Sequence, residues 1–254
     1  MFITNTILNL LVLIWSVIGV IIFFTLLKIK APYGRFSKKG WGKLFESRIG
    51  FLLMEFMGSV FFLVLFVIYS IKLNKINLIL VIIFILWQFA YVYRGFIYPF
   101  FRKKGKKIPL SIIFMAMIFN SINSFLIVTS IFLSINQYTQ GWLFDIRFIS
   151  GLSLFIIGYY ANVKSDIILR KLRENKKDEI PRGFLFNYVS SPHYFSEIIK
   201  WIGFALLIWT WAGLSFVIWT CANLIPRAIA HHKWYHKNLK NYPKNRTILI
   251  PKIF

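Results

Sequence analysis

The sequence contains a single cysteine, Cys221, and only eight acidic residues among its 254. One cysteine cannot form an internal disulfide, and it excludes a metal site built from several cysteines. The four histidines do not supply a zinc site either, because His231 and His232 are neighbours that point in different directions. The sequence also has no G-x-G-x-x-G or P-loop motif, so neither a Rossmann nor a Walker phosphate site is expected.

Charged residues are absent from long parts of the chain, which is 58% hydrophobic and contains 28 phenylalanines. The mean hydropathy of +0.66 is too high for a soluble domain of this length. The apolar runs are residues 6–27, 49–71, 77–101, 108–135, 146–168, 197–209 and 212–226. Most are about 20 residues or longer, enough to cross a bilayer, and the two short ones continue into helical sequence. We therefore predict an all-α protein of seven transmembrane helices, forming a single domain over residues 1–254.

Lysine and arginine are concentrated in alternate loops. Loops one, three and five and the C-terminal tail contain 26 of the 31 basic residues. Cytoplasmic loops carry such an excess, so we predict a cytoplasmic C-terminus and an N-terminus outside. The net charge of +23 then reflects topology and attraction to anionic lipid, and no nucleic-acid partner is expected. We expect a monomer in the bacterial inner membrane or the endoplasmic reticulum.

Several polar residues interrupt the apolar runs. Glu55 is the only charged residue between Ile49 and Ile71, and Tyr91 and Arg94 share a face of the next helix. Ionisable groups within spans are costly unless they face a cavity or a partner. Others follow in later helices: Asn120, Asn123, Asn162, Asp166, Arg170, Arg173, His193, Glu197, Arg227, His231 and Tyr235. Because most of them fall in the cytoplasmic halves of the helices, we predict one large cavity that opens to the cytoplasm.

The residue types in this cavity limit its chemistry. A carboxylic acid and a phenol can polarise a carbonyl group, and basic and amide side chains can hold a phosphorylated cofactor. This combination indicates the reduction of a lipid-soluble carbonyl compound. A membrane scaffold or a channel would leave the polar residues at a shared depth without a role.

Eight segments resemble the steroid 5α-reductase family over nearly the whole chain. They are APYGRF (31–36), the isolated Glu55, YVYRGFIY (91–98), GWLFDIRF (141–148), the stretch from Asn162 to Arg173, FLFNYVSSPHYFSEIIKWIGF (184–204), RAIAHHKWY (227–235) and YPKNRTILIPKIF (242–254). The resemblance implies a seven-helix reductase in which NADPH reduces the 4,5 double bond of a 3-oxo-4-ene steroid. It also implies that helices one to four bind mainly the steroid and that helices five to seven, with cytoplasmic loops, bind the cofactor.

The resemblance also assigns roles to residues. Glu55 and Tyr91 match the catalytic pair that hydrogen-bonds the C3 carbonyl oxygen. The cofactor positions are Tyr33, Lys103, Lys106, Asn162, Asp166, Arg173, His193, Glu197, Arg227, His231 and Tyr235, and the substrate positions are Tyr194 and Trp201. Met54 departs from the glutamine expected beside the acid in animal members, so the shape of the substrate pocket is expected to differ there.

Two interpretations of Glu55 follow from the sequence. With apolar neighbours it is expected to be protonated, so that it donates to the carbonyl oxygen on which negative charge develops. Alternatively, it is buried against a basic partner such as Arg94. The group that protonates the substrate α-carbon is not identified by the sequence.

Alternative functions remain open within and outside the reductases. Polyprenal reductases share a Pro-His-Tyr segment like that at 192–194, and trans-2-enoyl-CoA reductases would use a basic mouth for the CoA phosphates. The isoprenylcysteine carboxyl methyltransferases have a similar C-terminal half but use S-adenosylmethionine. The pair Glu55 and Tyr91 argues against methyl transfer, because that reaction needs no acid that polarises an enone.

Overall fold

The computed structural model describes residues 3–30, 36, 40–101, 107–174 and 180–254, and most of these are helical. The helices are α1 (Asn5–Lys28), α2 (Ser47–Phe56), α3 (Phe62–Leu73), α4 (Leu78–Val92), α5 (Leu110–Leu133), α6 (Ile146–Glu174), α7 (Pro192–Ile208) and α8 (Trp211–Asn238). Two three-residue strands, β1 (Leu44–Glu46) and β2 (Lys107–Pro109), pair antiparallel. They join the segments that enter α2 and α5.

Among the described residues, six helical segments are long and apolar enough to cross a membrane: Asn5–Lys28, Ser47–Leu73, Leu78–Phe100, Leu110–Leu133, Ile146–Leu172 and Trp211–Asn238. The prediction of an all-α, multi-span membrane protein is confirmed. The remaining helix, α7, has 17 residues, shorter than the roughly 20 of a simple span. The orientation in the membrane stays a prediction.

Two π-helical turns interrupt the helices that form the centre of the protein. One, Met57–Phe61, joins α2 to α3, and the other, Tyr93–Ile97, follows α4. A π turn changes the backbone hydrogen-bond pattern, and such turns occur often at functional sites. Within the first, the carbonyl oxygen of Gly58 accepts a hydrogen bond of 2.7 Å from the indole Nε1 of Trp87. This bond ties the first π turn to α4.

Helices α6 and α7 pack closely along most of their length because glycines lie between them. A Cβ atom on Gly158 would lie 2.5 Å from the backbone nitrogen of Lys200, and one on Gly151 would lie 2.6 Å from that of Leu207. Small residues allow membrane helices to approach in this way. The glycines thus fix α7, which carries Glu197 and Trp201, against α6.

Helix α1 packs on α8 and leaves most of its surface exposed. The hydroxyl of Ser16 lies 2.9 Å from that of Ser215, and the indole of Trp219 donates to the carbonyl of Trp15 at 2.9 Å. Its outward residues, such as Leu13, are aliphatic and exposed. Such a surface is suited to contact with lipid.

The C-terminal segment pairs with the chain in front of α7. The backbone nitrogens of Ser190 and Ser191 donate to the carbonyls of Thr247 and Ile248 at 2.9 and 3.2 Å. Pro192 then occupies the first turn of α7. Proline lacks a backbone N–H, and an N–H at this position would have no acceptor within the helix. The tail therefore fixes the start of the helix that bears His193, Tyr194 and Glu197.

Candidate active site

A cluster of two acids and two bases lies between α2, α4 and α7. We call Glu55, Arg94, Glu197 and Lys200 the charge cluster. Arg94 links the two acids, since its Nε lies 3.4 Å from Oε1 of Glu55 and its Nη1 lies 2.8 Å from Oε1 of Glu197. Lys200 adds a second contact with Glu197, at 2.9 Å. Both acids are buried, and Lys200 is 1% exposed.

The carboxylate of Glu197 is hydrogen-bonded on one side only. Its Oε1 accepts from Arg94, from Lys200 and, at 2.7 Å, from the indole of Trp201. Its Oε2 is buried and has no hydrogen-bond partner among the described residues. An unmatched buried carboxylate oxygen is costly, so this atom is suited to accept a hydrogen bond from a ligand.

The hydroxyl of Tyr91 is held by Asn120 of α5. It donates to Oδ1 of Asn120 at 3.1 Å, while Nδ2 of the same amide donates to the backbone carbonyl of Met54 at 2.7 Å. The second bond fixes which way the amide faces, because only the nitrogen can donate. Asn120 thus connects the Tyr91 hydroxyl to the residue immediately before Glu55.

Two glycines allow α2 and α4 to approach at this point. The ring of Tyr91 lies directly against Gly58, in the space that a Cβ atom would need, and a Cβ on Gly95 would lie 3.0 Å from that of Glu55. The two sequence-predicted catalytic residues are therefore neighbours on facing helices.

An aromatic wall adjoins Tyr91. Trp87 is fully buried and stacks on Tyr91 with centroids 4.7 Å apart, and Trp201 lies 6.0 Å from Tyr91 and 5.4 Å from Trp87. Phe216 of α8 meets the Trp201 ring edge to face at 4.7 Å. These rings pack against one another in the buried core, so Tyr91 adjoins a closely packed aromatic interior.

A second polar group lies toward the start of α7 and the later turns of α8. We call His193, Tyr194, Arg227, His231 and Tyr235 the α7–α8 cluster. Nε of Arg227 donates to the Tyr194 hydroxyl at 2.6 Å, and the His193 and Tyr194 rings lie 4.0 Å apart. His231 lies 5.8 Å from Tyr194 and 6.2 Å from Tyr235. Five of the sequence-predicted positions therefore meet here.

Helix α6 contributes to the same region through Asn162. Its Nδ2 donates at 2.8 Å to the backbone carbonyl of His193, which joins α6 to the first turn of α7. Glu197 lies one turn further along α7, between this cluster and Trp201. One short helix therefore carries predicted cofactor and substrate positions in succession.

Comparison with known proteins identifies the family. Residues 106–254 match the family model described as 3-oxo-5-alpha-steroid 4-dehydrogenase. The 3-oxo-5-alpha-steroid 4-dehydrogenase 1 of Bos taurus is 34% identical over 241 residues, which cover 92% of each chain. The chain belongs to the steroid 5α-reductase family. Steroid 5-alpha-reductase DET2 of Arabidopsis thaliana is 37% identical over 235 residues, or 89% of this chain and 88% of the relative. The Mus musculus 3-oxo-5-alpha-steroid 4-dehydrogenase 1 is 33% identical over 247 residues, or 96% of each.

The region matched by the model of the steroid 5α-reductase family covers α5 to α8 and excludes Glu55 and Tyr91. The match to the Bos taurus relative covers 92% of the chain, so the family resemblance is not confined to the C-terminal helices. The resemblance stated from the sequence motifs is confirmed at the level of the family. The roles of individual residues are not part of that match.

Some predicted positions of this steroid 5α-reductase family member are not described. Tyr33, Lys103 and Lys106 lie outside the described residues, and only the backbone of Arg173, near the end of α6, is described. Asp166 is half-buried on α6. No group of three or more metal-ligating residues occurs in the part of the chain that the structure describes.

Sequence reasoning missed Lys200 as a member of the site and did not pair Asn120 with Tyr91. Lys200 lies within the run 197–209, and a lysine in an apolar run is a signal that a partner is nearby. The pairing of Asn120 with Tyr91 has no such signal, because it depends on how α5 packs on α2 and α4. The contact of Glu55 with Arg94 corrects the expectation of purely apolar neighbours and agrees with the alternative of a basic partner.

Proposed function

We propose that the protein reduces the 4,5 double bond of a 3-oxo-4-ene steroid to the 5α-reduced 3-oxosteroid, with NADPH as cofactor. Family membership supports the reaction class. The observation that carries the proposal is the adjacency of Glu55 and Tyr91 beside Trp87 and Trp201. Two groups able to hydrogen-bond a carbonyl oxygen thus lie beside buried aromatic rings, which match the flat, apolar ring system of a steroid in character.

The residues present fit the proposed cofactor. The α7–α8 cluster supplies cationic and polar groups suited to phosphate and ribose, and Oε2 of Glu197 supplies a buried acceptor for an N–H donor. Asn162, Asp166, Arg173, His193, Glu197, Arg227, His231 and Tyr235 would hold it, together with Tyr33, Lys103 and Lys106. When bound, NADPH would supply a hydride to C5 of the steroid.

Tyr91 and Glu55 act on the C3 carbonyl group of the steroid. As C5 gains a hydride, negative charge develops on the C3 carbonyl oxygen, and the resulting enolate then takes up a proton from water at C4 to give the 3-oxosteroid. Hydrogen-bond donors at that oxygen stabilise the transition state where the charge appears, and one donor is typically worth about 3 to 4 kcal/mol. Tyr91 donates its phenolic proton by turning from Asn120, and Glu55 donates when it carries a proton. A protonated carboxylic acid and a tyrosine perform this role in ketosteroid isomerase, a different enzyme.

Arg94 fixes the positions of Glu55 and Glu197 relative to each other. It contacts both Glu55 and Glu197, so the acid proposed for the substrate carbonyl and the acid proposed for the cofactor share one guanidinium. A rigid planar fork positions carboxylates well. The proposed substrate contacts are Trp201 and Tyr194. The indole of Trp201 donates to Glu197, and its ring lies close to that of Tyr91.

The proposed orientation places the cofactor site toward the cytoplasm. The loops rich in lysine and arginine adjoin the α7–α8 cluster in sequence, and basic loops face the cytoplasm in most membrane proteins. NADPH would then enter from the cytoplasm, while the steroid enters from the lipid. We expect the protein to act as a monomer.

A binding experiment tests the cofactor class. Purified protein in detergent is titrated with NADPH and, separately, with S-adenosylmethionine, and binding is followed by nicotinamide fluorescence and by calorimetry. We expect saturable binding of NADPH and none of S-adenosylmethionine. Binding of S-adenosylmethionine without NADPH would contradict the proposal. Turnover is then compared among a 3-oxo-4-ene steroid, a polyprenal and a trans-2-enoyl-CoA, and we expect the steroid to be preferred.

A further inference from the structure

Lys200 is a charged residue buried where α6 and α7 approach closely. Its backbone lies against Gly158 of α6, and its side chain is 1% exposed. Its ammonium group lies 2.9 Å from Oε1 of Glu197, 4.7 Å from the centroid of the Trp201 ring and 5.9 Å from that of Tyr159. A buried ammonium is costly without a partner, so the contact with Glu197 is the reason that it can be there.

Lys200 gives Glu197 a cationic partner of its own. Arg94 contacts both Glu55 and Glu197, so the two acids share its guanidinium. Lys200 contacts Glu197, and a buried carboxylate is costly unless it is paired and hydrogen-bonded. Lys200 therefore compensates the charge of Glu197, whether or not Glu55 carries a proton.

Lys200 also determines which oxygen of Glu197 is occupied. It approaches Oε1 from the same side as Arg94 and Trp201, and these three donors leave Oε2 buried without a partner among the described residues. Rotating the carboxyl would break three hydrogen bonds in order to satisfy one atom. The free oxygen is thus held in a fixed direction.

We propose that Lys200 is a positioning residue: by neutralising Glu197 and engaging its Oε1, it keeps Oε2 fixed as the acceptor for an N–H donor of the bound ligand. This inference rests on the proposed function, under which the donor is the carboxamide NH2 of the nicotinamide. A hydrogen bond there fixes the rotation of the ring about its bond to the ribose, and so determines which face of the ring meets the steroid.

The test uses the 3-acetylpyridine analogue of NADPH, in which a methyl group replaces the carboxamide NH2. For each protein, the Kd of the analogue is divided by the Kd of NADPH. A hydrogen bond to a charged acceptor predicts a wild-type ratio of about ten or more. In Lys200→Met, which keeps the length of the side chain and removes its charge, we expect the ratio to fall to within about threefold of one.

The control is Lys164→Met, at an exposed position of α6, for which we expect the wild-type ratio. A purely structural role of Lys200 would weaken the binding of both dinucleotides equally, and an unchanged ratio in Lys200→Met would overturn the inference. If that variant does not fold, Lys200→Gln is measured in its place. A wild-type ratio near one would also overturn the inference while leaving NADPH binding intact.

A double-mutant cycle with Glu197→Gln separates the two residues. Because Lys200 acts through Glu197, we expect Lys200→Met to lower the ratio in the wild-type background and to have no further effect in Glu197→Gln. Equal effects in both backgrounds would overturn the inference. No NADPH binding by the wild-type protein would contradict the proposed function itself, and the inference with it.

Discussion

The hydroxyl of Tyr91 has one proton, which is directed to Asn120. The amide of Asn120 cannot turn to donate instead, because its nitrogen is bound to the carbonyl of Met54. A substrate carbonyl must therefore compete with Asn120 for the proton of Tyr91. The backbone carbonyl of Met54 belongs to this arrangement, whereas its side chain packs in a separate apolar cluster with Phe51 and Ile113. The departure from the glutamine expected in animal members therefore places an apolar side chain in that cluster.

Removing either proposed donor should slow the reaction without affecting the cofactor. For Glu55→Leu and Tyr91→Phe we expect kcat with a 3-oxo-4-ene steroid to fall by about 10²-fold to 10³-fold. The Kd for NADPH should change by less than about threefold, because neither side chain is proposed to touch the cofactor. Steady-state kinetics and dinucleotide fluorescence measure the two quantities.

Two matched changes serve as controls: Glu46→Leu, at an exposed strand residue, and Tyr160→Phe, at an exposed position of α6. Both should retain wild-type turnover. Wild-type rates in the Glu55 and Tyr91 variants would refute the roles proposed for them.

At the scale of the elements, the two π turns and the glycines beside them bring the proposed catalytic pair together. Glu55 lies two residues before one π turn, and Tyr91 lies two residues before the other. The apolar runs indicated these helices because hydrophobic length is readable from sequence. The π turns were not predicted, since neither segment has a residue pattern that marks one. The meeting of Glu55 and Tyr91 was expected from the family resemblance.

Gly58 is the position at which the close approach of α2 and α4 is most easily tested. A Cβ in Gly58→Ala would overlap the ring of Tyr91, and overpacking typically costs about 1 to 3 kcal/mol. We expect a lower melting temperature and a loss of turnover that exceeds any loss of NADPH affinity. Gly141→Ala is the matched control, because its Cβ would meet only the Thr139 hydroxyl, at 3.7 Å. Equal turnover in the two variants would contradict the proposed contact.

The start of α6 is fixed by Asp145 and Arg147. The carboxylate of Asp145 accepts from the backbone N–H and Nε of Arg147 at 2.8 Å and from its Nη2 at 2.7 Å. These hydrogen bonds lower the pKa of Asp145 to about 2. The guanidinium also lies over the rings of Trp142 and Trp209, at 4.3 and 5.1 Å. The pair thus connects the start of α6 to the end of α7.

The lowered pKa of Asp145 predicts a pH dependence of stability. An aspartate in the unfolded chain has a pKa of about 3.9, so the stabilisation is fully present above about pH 4 and is lost as the pH falls through about 2. Asp145→Asn should therefore lower the melting temperature by a constant amount between pH 5 and 8, and the difference from wild type should shrink below about pH 4. A difference that instead changed between pH 5 and 8 would contradict this origin.

At the scale of the whole molecule, the sequence predicted a multi-span helical protein, and the structure agrees in six long apolar helices. The apolar run 197–209 corresponds to α7, which begins at Pro192. The residues just before this helix, Ser190 and Ser191, donate backbone hydrogen bonds to the tail. The charge cluster was only partly foreseen. Arg94 was suggested as a partner of Glu55, but Lys200 gains its role from the close approach of α6 and α7, which depends on glycines distributed over two helices.

The predicted topology is testable by chemical labelling. In a Cys221→Ser background, single cysteines replace Lys75, in the loop between α3 and α4, and Lys240, after α8; both positions are exposed. In sealed vesicles of known orientation, we expect a membrane-impermeant maleimide to label Lys75→Cys from the outer side and Lys240→Cys from the cytoplasmic side. Labelling of both from one side would contradict the alternation of basic loops. The Cys221→Ser protein itself should remain unlabelled.

The central claim is that hydride from NADPH reaches C5 of a 3-oxo-4-ene steroid held by Glu55 and Tyr91. The most direct measurement is isotope transfer, in which purified protein is incubated with the steroid and with NADPH deuterated at C4 of the nicotinamide, on the face from which hydride is transferred. We predict a 5α-reduced 3-oxosteroid that carries one deuterium at C5, at a rate strongly reduced in Tyr91→Phe. An unreduced steroid despite bound NADPH, or a reduced product without deuterium when either face is labelled, would contradict the account.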